Sequence, residues 1–336
     1  MRSSPPVSIW RQPLLLVMAF SACAVYSASV QAEWLYREEA IMGTRCAVEL
    51  WATDRDAGNA AIEAVLADMR RVDALMSTYK PDSEISRVND NAAKEPVPVT
   101  AELFGLLQTS LQYSGLSKGA FDITYASVGY LYDYRQHFHP DEKAIAAALP
   151  TVDYRQLKLD PAKRTVAFGK PGMRIDLGGI AKGYAVDRGM QILKDRGFTH
   201  AMVNAGGDTR VSGDRFGKPW IVGIRHPDRK DEIAMRIPLV DAAFSTSGDY
   251  ERYFDEGGVR YHHIIDPKTG HSPHAVRSVT VIASNATRTD GLTKTVFILG
   301  PKDGIDFINS LPDADAIVIA ADGKVSYSKG LQPPGN

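Results

Sequence analysis

From residue 157 onward the sequence returns to short apolar runs that are too brief for helices and are broken by turn-forming residues. Runs at 157–159, 165–168, 173–175, 200–204, 209–212, 220–224, 234–238, 243–246, 259–265, 276–283 and 315–320 predict strands. Stretches this short bury a face only by pairing into sheets. Helical spacing occurs from near Gly179 to about Gly197, at about 287–299 and near 302–310. Strand-sized runs with a few interspersed helices predict an α+β domain.

The first half carries more helix. Ile62, Val65, Leu66, Met69, Val72, Leu75 and Met76 form one apolar stripe over 57–76, after a strand at about 44–52. Pro81 prevents the helix from continuing, which leaves Tyr79 on a loop at its end. Thr100 caps a second helix reaching about 117, with Leu103, Leu106, Leu107 and Leu111 as its stripe. Beyond it, 125–155 reads as loop with one short helix near 141–149. No repeat or low-complexity linker divides 33–330, so one domain is expected, with 331–336 as a frayed tail.

Residues 1–32 differ from the rest. Arg2 and Arg11 precede an apolar run from Leu14 to Val25, and small residues follow before Glu33, the layout of a secretory signal. The domain is therefore expected outside the cytoplasm, in a bacterial periplasm. Phe20-Ser-Ala-Cys23 also suits lipoprotein processing, so a soluble form and a lipid-anchored form both remain open. Only Cys23 and Cys46 are present, and the first lies in the leader, so no disulfide is expected within the domain. Cys46 alternates with Val48 and Leu50 and reads as a small buried hydrophobe. With 39 Lys+Arg against 40 Asp+Glu, nothing marks a nucleic-acid partner, and an anionic ligand must be held locally.

Several segments carry possible chemistry. In Asp176-Leu-Gly-Gly-Ile-Ala-Lys-Gly-Tyr-Ala-Val-Asp187 a strand end meets a helix through Gly178 and Gly179, with an acid before them and Lys182 in the first turn. Backbone N–H groups and a helix N-terminus can approach a phosphate closely there, although a tight connection alone would read the same. Asn204-Ala-Gly-Gly-Asp208 repeats paired glycines beside an acid, as a β-turn would. Ser245-Thr-Ser-Gly248 with Arg252 could converge on an oxyanion or be a capped turn.

His263 and Asp266 face opposite sides of any continuous strand, so the chain must turn between them before both serve one site. A histidine there can take a proton from a hydroxyl. His262 points the other way and reads as structural. Asp290, Thr293 and Lys294 share one helix face. The carboxylate and hydroxyl oxygens suit Mg²⁺, whereas an Asp290–Lys294 ion pair is the simpler reading of those residues alone.

Taken in order, these segments resemble the FAD:protein FMN transferase (ApbE) family, from Ile41-Met-Gly-Thr44 through Ser77-Thr-Tyr79, Gly119-Ala-Phe-Asp122 and the segments above to the region 290–300. The resemblance implies a T-fold-like single domain with mixed, mostly antiparallel sheets and packed helices. It implies transfer of FMN from FAD to a Thr or Ser hydroxyl of an exported acceptor protein, with release of AMP. Met42, Tyr79, Ala120, Phe121 and Asp122 would line the flavin end, Asp176, Lys182 and Ile265 would contact the rest of FAD, and His263 would be the base with Asp266 nearby. A divalent cation, Mg²⁺, would be held by Gly179 through its carbonyl, by Asp290 and by Thr293.

The sequence departs from that pattern at Lys294, where the resemblance calls for a threonine ligand. An ammonium has donors and no lone pair. Either Lys294 swings away and the cation stays, or the ammonium takes its place. FAD hydrolysis to FMN and AMP, or FAD binding without catalysis, are the rival activities.

Overall fold

The computed structural model describes residues 1, 3, 4, 32–229 and 232–331. The leader, Cys23 and residues 332–336 of the expected tail lie outside these or are only touched by them. Residues from Ala32 onward form one compact unit.

An eight-stranded sheet organises it. Its strands, in spatial order, are Glu33–Ile41, Thr44–Ala52, Ala201–Ala205, Asp208–Ser212, Ala243–Gly248, Val276–Ala283, Ala314–Ala320 and Val325–Tyr327. Every neighbouring pair is antiparallel. The helices Arg55–Met76, Ala181–Asp195 and Ala286–Asn309 pack on the sheet and on one another. Cys46, Val48 and Leu50 meet Ile62, Val65 and Met69 in this core, and Cys46 is fully buried, as its alternation predicts. Val211, Phe244 and Ile317 serve a second core with Trp220, Val222 and Ile237 of the hairpin formed by Trp220–Arg225 and Ile233–Leu239. The period of two thus sends neighbouring residues of one strand to two different cores.

Helix ends follow local chemistry. Asp54 accepts from the N–H groups of Asp56 and Ala57 at the start of Arg55–Met76. Thr100 caps Ala101–Leu116 as the sequence predicts. The two helices expected at 287–299 and 302–310 are continuous in Ala286–Asn309 except for a break at Gly300, whose φ of 85° and following Pro301 interrupt the ladder.

The structure departs from the sequence expectation in a few places. Residues 173–175 are not a strand: the Asn89 amide accepts from Ile175 N–H and donates to Ile175 C=O, replacing a ladder with one side chain. The expected strand at 259–265 stops at His262. Strands Glu33–Ile41, Tyr253–Glu256 and Val325–Tyr327 and the helix Glu84–Asn91 are additional. The first is a sheet edge on which only Leu35 and Ile41 are buried, so its Glu and Arg residues hide the strand pattern.

Candidate active site

The glycine-rich turn is held by side chains. The Asp176 carboxylate accepts from Gly178 N–H at 2.6 Å, from the Thr78 hydroxyl at 2.8 Å and from the Tyr125 hydroxyl at 3.4 Å. Thr78 thereby ties the loop bearing Tyr79 to the turn. The following helix starts at Ala181, and Ile180 offers it no side-chain cap. Asp290, from the helix Ala286–Asn309, serves instead, its Oδ2 accepting from Gly183 N–H at 3.1 Å. A carboxylate at a helix N-terminus is stabilised by the aligned peptide dipoles. Gly183 permits this approach, because a Cβ there would lie 2.2 Å from Ala286 O and 2.8 Å from Asp290 Cβ.

Four charges meet at this contact. Lys182 Nζ lies 2.9 Å from Asp208 and 3.4 Å from Asp290 Oδ2, and it donates to Gly178 O at 3.2 Å. Lys294 Nζ lies 2.5 Å from Asp290 Oδ1 and 3.3 Å from Thr293 Oγ1. Burial works against the Lys182 ammonium, yet Asp208 and Asp290 outweigh it and hold its pKa above that of an ordinary lysine. Burial likewise pushes the carboxyl of Asp290 up, but Lys182, Lys294 and the Gly183 N–H bring it below the usual range. Asp208, buried and facing Asp290, is raised. Two ammonium groups and two carboxylates make the cluster neutral in sum.

Gly179 lies directly beneath Lys294, whose Cγ and Cε would stand 3.4 and 3.8 Å from a Cβ on that glycine, with Phe121 at 3.5 Å. Hydroxyls fix the floor: Ser247 donates to Thr293 Oγ1 at 2.9 Å, and Thr293 donates to Asp290 O at 2.7 Å. Ser245 and Thr289 are joined at 2.7 Å.

His263 follows the last residue of its strand, and its N–H donates to Arg252 O. Burial first, then the charges of Arg252, Lys294 and Lys182, push its pKa down to about 3. The imidazole is neutral near pH 7, and its Nδ1 is buried without a hydrogen-bond partner. His262 faces the interior, its ring bonded to Pro273 O at 2.9 Å, in agreement with a structural role.

The chain turns after His263, as Asp266 required. The Asp266 carboxylate accepts from Lys268 N–H at 2.9 Å, and no hydrogen bond joins it to His263 among the described residues. Ile265 is buried with Val128, Tyr132 and Ile145, so its side chain is spent on packing and not on a ligand.

Met42 and Gly43 make the two-residue turn between the first two strands, with φ of 54° and 68°. Such a turn needs positive φ at both positions, which is costly for Met42. Arg252 reaches this turn, 3.4 Å from Gly43 O. Tyr79 is 79% exposed, although the Arg135 guanidinium stands over one face of its ring, 5.9 Å from the centroid. Ala120 and Phe121 are buried, Phe121 reaching Gly179. Asp122 is spent locally: it accepts from Thr124 N–H, from the Thr124 hydroxyl and from Tyr154 N–H. A cavity of about 330 Å³ between Tyr132, His139, Tyr261 and His271 contains none of these candidates.

The family model described as the ApbE family matches residues 42–318. The chain belongs to the ApbE family. It is 33% identical over 314 residues to an FAD:protein FMN transferase of Treponema pallidum, covering 88% of this chain and 87% of that protein. It is 34% identical over 272 residues to one of Haemophilus influenzae, covering 78% of each. A crystal structure of the ApbE protein of Thermotoga maritima superposes with a TM-score of 0.81 at 34% identity, over 89% of this chain and 98% of that one. The flavin transferase ApbE of Vibrio cholerae gives 0.79 at 29% identity, with the same coverage.

For an ApbE family member, two features of the site were beyond sequence reading. Asp208 is the closest carboxylate to Lys182, and only the paired glycines before it hinted at a special place. Ser247 supports Thr293 from a neighbouring strand, which the Ser245–Gly248 segment could not indicate without its partner helix.

Gly179, Asp290 and Thr293 do come together, but they do not fit Mg²⁺ as arranged. Both Asp290 oxygens accept hydrogen bonds from charged or backbone donors, and Thr293 Oγ1 donates to Asp290 O while receiving Ser247 and Lys294. Among the described residues no group of three or more His, Cys, Asp or Glu side chains could hold a metal ion.

Proposed function

We propose that this chain transfers FMN from FAD to a Ser or Thr hydroxyl of an acceptor protein. The observation that carries this reading is the Lys182–Asp290–Lys294 cluster, in which Asp290 caps the helix that follows the glycine turn, together with the buried His263. Relatives matched over 88% and 78% of this chain are FAD:protein FMN transferases, and the flavin transferase ApbE of Vibrio cholerae has the same fold over 89% of it, which supports the reading.

The acceptor oxygen attacks the flavin-side phosphorus. A new P–O bond forms as the bridging P–O bond breaks, and the electron pair leaves with AMP. The hydroxyl proton goes to the His263 imidazole, so FAD and HO–protein become FMN–O–protein and AMP. A positioned base contributes roughly 10²–10⁴-fold when its pKa lies near the working pH, and the negative charge of a bound diphosphate, set against Lys182 and Lys294, raises His263 from its depressed value in that direction. Ammonium groups fixed before reaction stabilise charge on the diphosphate without reorganising. The exposed ring of Tyr79 offers a stacking face to the isoalloxazine, with Met42 and Phe121 beside it. Asp176 and Lys182 face the rest of the nucleotide, with the main chain of Ile265, while Asp122 and Asp266 hold the loops that carry their neighbours.

The leader composition supports an exported, periplasmic protein acting on an exported acceptor. Membrane association would arise only through lipid at Cys23 or through a membrane-bound acceptor.

The test is incubation with FAD and Ser- or Thr-bearing peptides from exported proteins, followed by mass spectrometry and nucleotide analysis. Modified peptide with equimolar AMP is expected. FMN and AMP without modified peptide would indicate hydrolysis, and intact FAD throughout would end the enzymatic reading.

A further inference from the structure

We infer that the Lys294 ammonium is the resident counter-charge for the diphosphate, so that this chain binds FAD without a divalent cation. The inference rests on the transferase reading above and concerns the same pocket. It begins from the disagreement between the oxygens of Gly179, Asp290 and Thr293 and the needs of Mg²⁺.

Mg²⁺ demands near-octahedral oxygens at about 2.0–2.1 Å. Asp290 and Thr293 would have to supply them. Lys294 Nζ instead lies 2.5 Å from Asp290 Oδ1 and 3.3 Å from Thr293 Oγ1, touching two of the three groups a cation would use. Its stem runs past the residue that bears the third, its Cγ and Cε 3.4 and 3.8 Å from where a Cβ on Gly179 would stand. Asp290 Oδ2 is committed to Gly183 N–H and Lys182. The Lys294 side chain keeps 18% of its surface exposed, while Asp290 is fully buried, so Lys294 is the member of the pair that a ligand can meet.

Charge points the same way. Asp208 and Asp290 are already balanced by Lys182 and Lys294. A dication entering between two ammonium groups would meet repulsion from both and no unpaired carboxylate in return. An arriving diphosphate, in contrast, finds two ammonium groups held by buried acids: Lys294, with two of its three N–H donors on Asp290 and Thr293, can give the third to a phosphate oxygen, while Lys182, whose donors go to Asp208, Asp290 and Gly178 O, acts through its charge. Lysine binds phosphate as a point charge, and here its position is set by Asp290 rather than by the ligand.

The experiment uses the whole protein after chelator treatment. FAD affinity is followed by flavin fluorescence, and Mn²⁺ binding by electron paramagnetic resonance. The unaltered protein should bind FAD equally in chelator and in millimolar Mg²⁺, and should leave Mn²⁺ free. Lys294→Thr should weaken FAD binding in chelator by roughly tenfold or more, the loss of one charge-assisted contact. That variant should regain affinity with Mg²⁺ and bind one Mn²⁺ per chain. Lys294→Arg, which keeps the charge if the threonine variant folds poorly, should stay metal-independent. Chelator-sensitive FAD binding or stoichiometric Mn²⁺ in the unaltered protein would overturn the inference while leaving the transferase reading intact. Absence of FAD binding in every form and condition would instead remove the transferase reading, and this inference with it.

Discussion

Asp187 caps a helix that begins ninety-nine residues later: its Oδ1 accepts from Ala286 N–H at 2.9 Å and its Oδ2 from Thr287 N–H at 2.8 Å. The Thr287 hydroxyl and Arg210 add further bonds to the same carboxylate. The last residue of the glycine-rich segment therefore fixes the helix carrying Asp290, Thr293 and Lys294. Asp187→Ala should lower stability by about 1–2 kcal/mol, as expected for loss of a capping side chain. Asn285 also caps this helix, its side chain accepting from Arg288 N–H at 2.9 Å, and an unchanged midpoint in urea unfolding would show that it suffices alone.

Gly183 sets the distance between the two site helices. In Gly183→Ala the new methyl meets the backbone of Ala286, which cannot move aside as a side-chain tip can. A cost of about 1–3 kcal/mol is expected, together with weaker FAD binding because Asp290 shifts. Gly178→Ala does not test this contact, whereas retained stability in Gly183→Ala would show that the helices part freely.

Asp208 and Lys182 should behave as a buried pair. Asp208→Asn should cost about 3 kcal/mol by leaving the Lys182 ammonium with a share of Asp290 alone. Combining it with Lys182→Met should cost less than the two changes summed. Strict additivity in that cycle would mean the pair contributes no coupling.

Acid should weaken the fold through its two depressed histidines. His263 is held down to about 3 by burial and neighbouring cations, and His262 to about 4 mainly by burial. Unfolding returns each to about 6.5, so the unfolded chain binds more protons below that pH. Their contribution is complete above pH 6.5 and is lost as pH falls toward the folded values. Between pH 7 and 5 each should remove about 2 kcal/mol. His263→Gln should erase its share of that slope, and an unaltered pH dependence in this variant would refute the depressed value.

His263→Ala should bind FAD but transfer FMN roughly 10²–10⁴-fold more slowly. Fluorescence for binding and mass spectrometry for transfer separate the two effects. Equal loss of both would make His263 a binding group rather than the base.

Much of this molecule is legible in the chain. The stripe from Ile62 to Met76, the Thr100 cap and the alternation of Cys46, Val48 and Leu50 follow from local periodicity, and all three stand as read. The order of the glycine, histidine and aspartate segments carries the family. Residues 173–175 read as a strand because their apolar pattern is right, but Asn89 takes the hydrogen bonds a ladder would need. The edge strand Glu33–Ile41 escaped for the opposite reason, since pairing on one side asks little apolar alternation of it.

By itself, then, the sequence determined the α+β class, the antiparallel periodicities, the glycine turns and the residue types of the site, because these depend on neighbours a few positions apart. It left open whether Lys294 meets Asp290 or turns away, since an i,i+4 pair on an isolated helix is optional and weak. Tertiary structure decided it. Burying Asp290 against Gly183 and Lys182 makes an unpaired carboxylate costly, and Lys294 is drawn over Gly179 into the position where the sequence allowed either an ammonium or a metal.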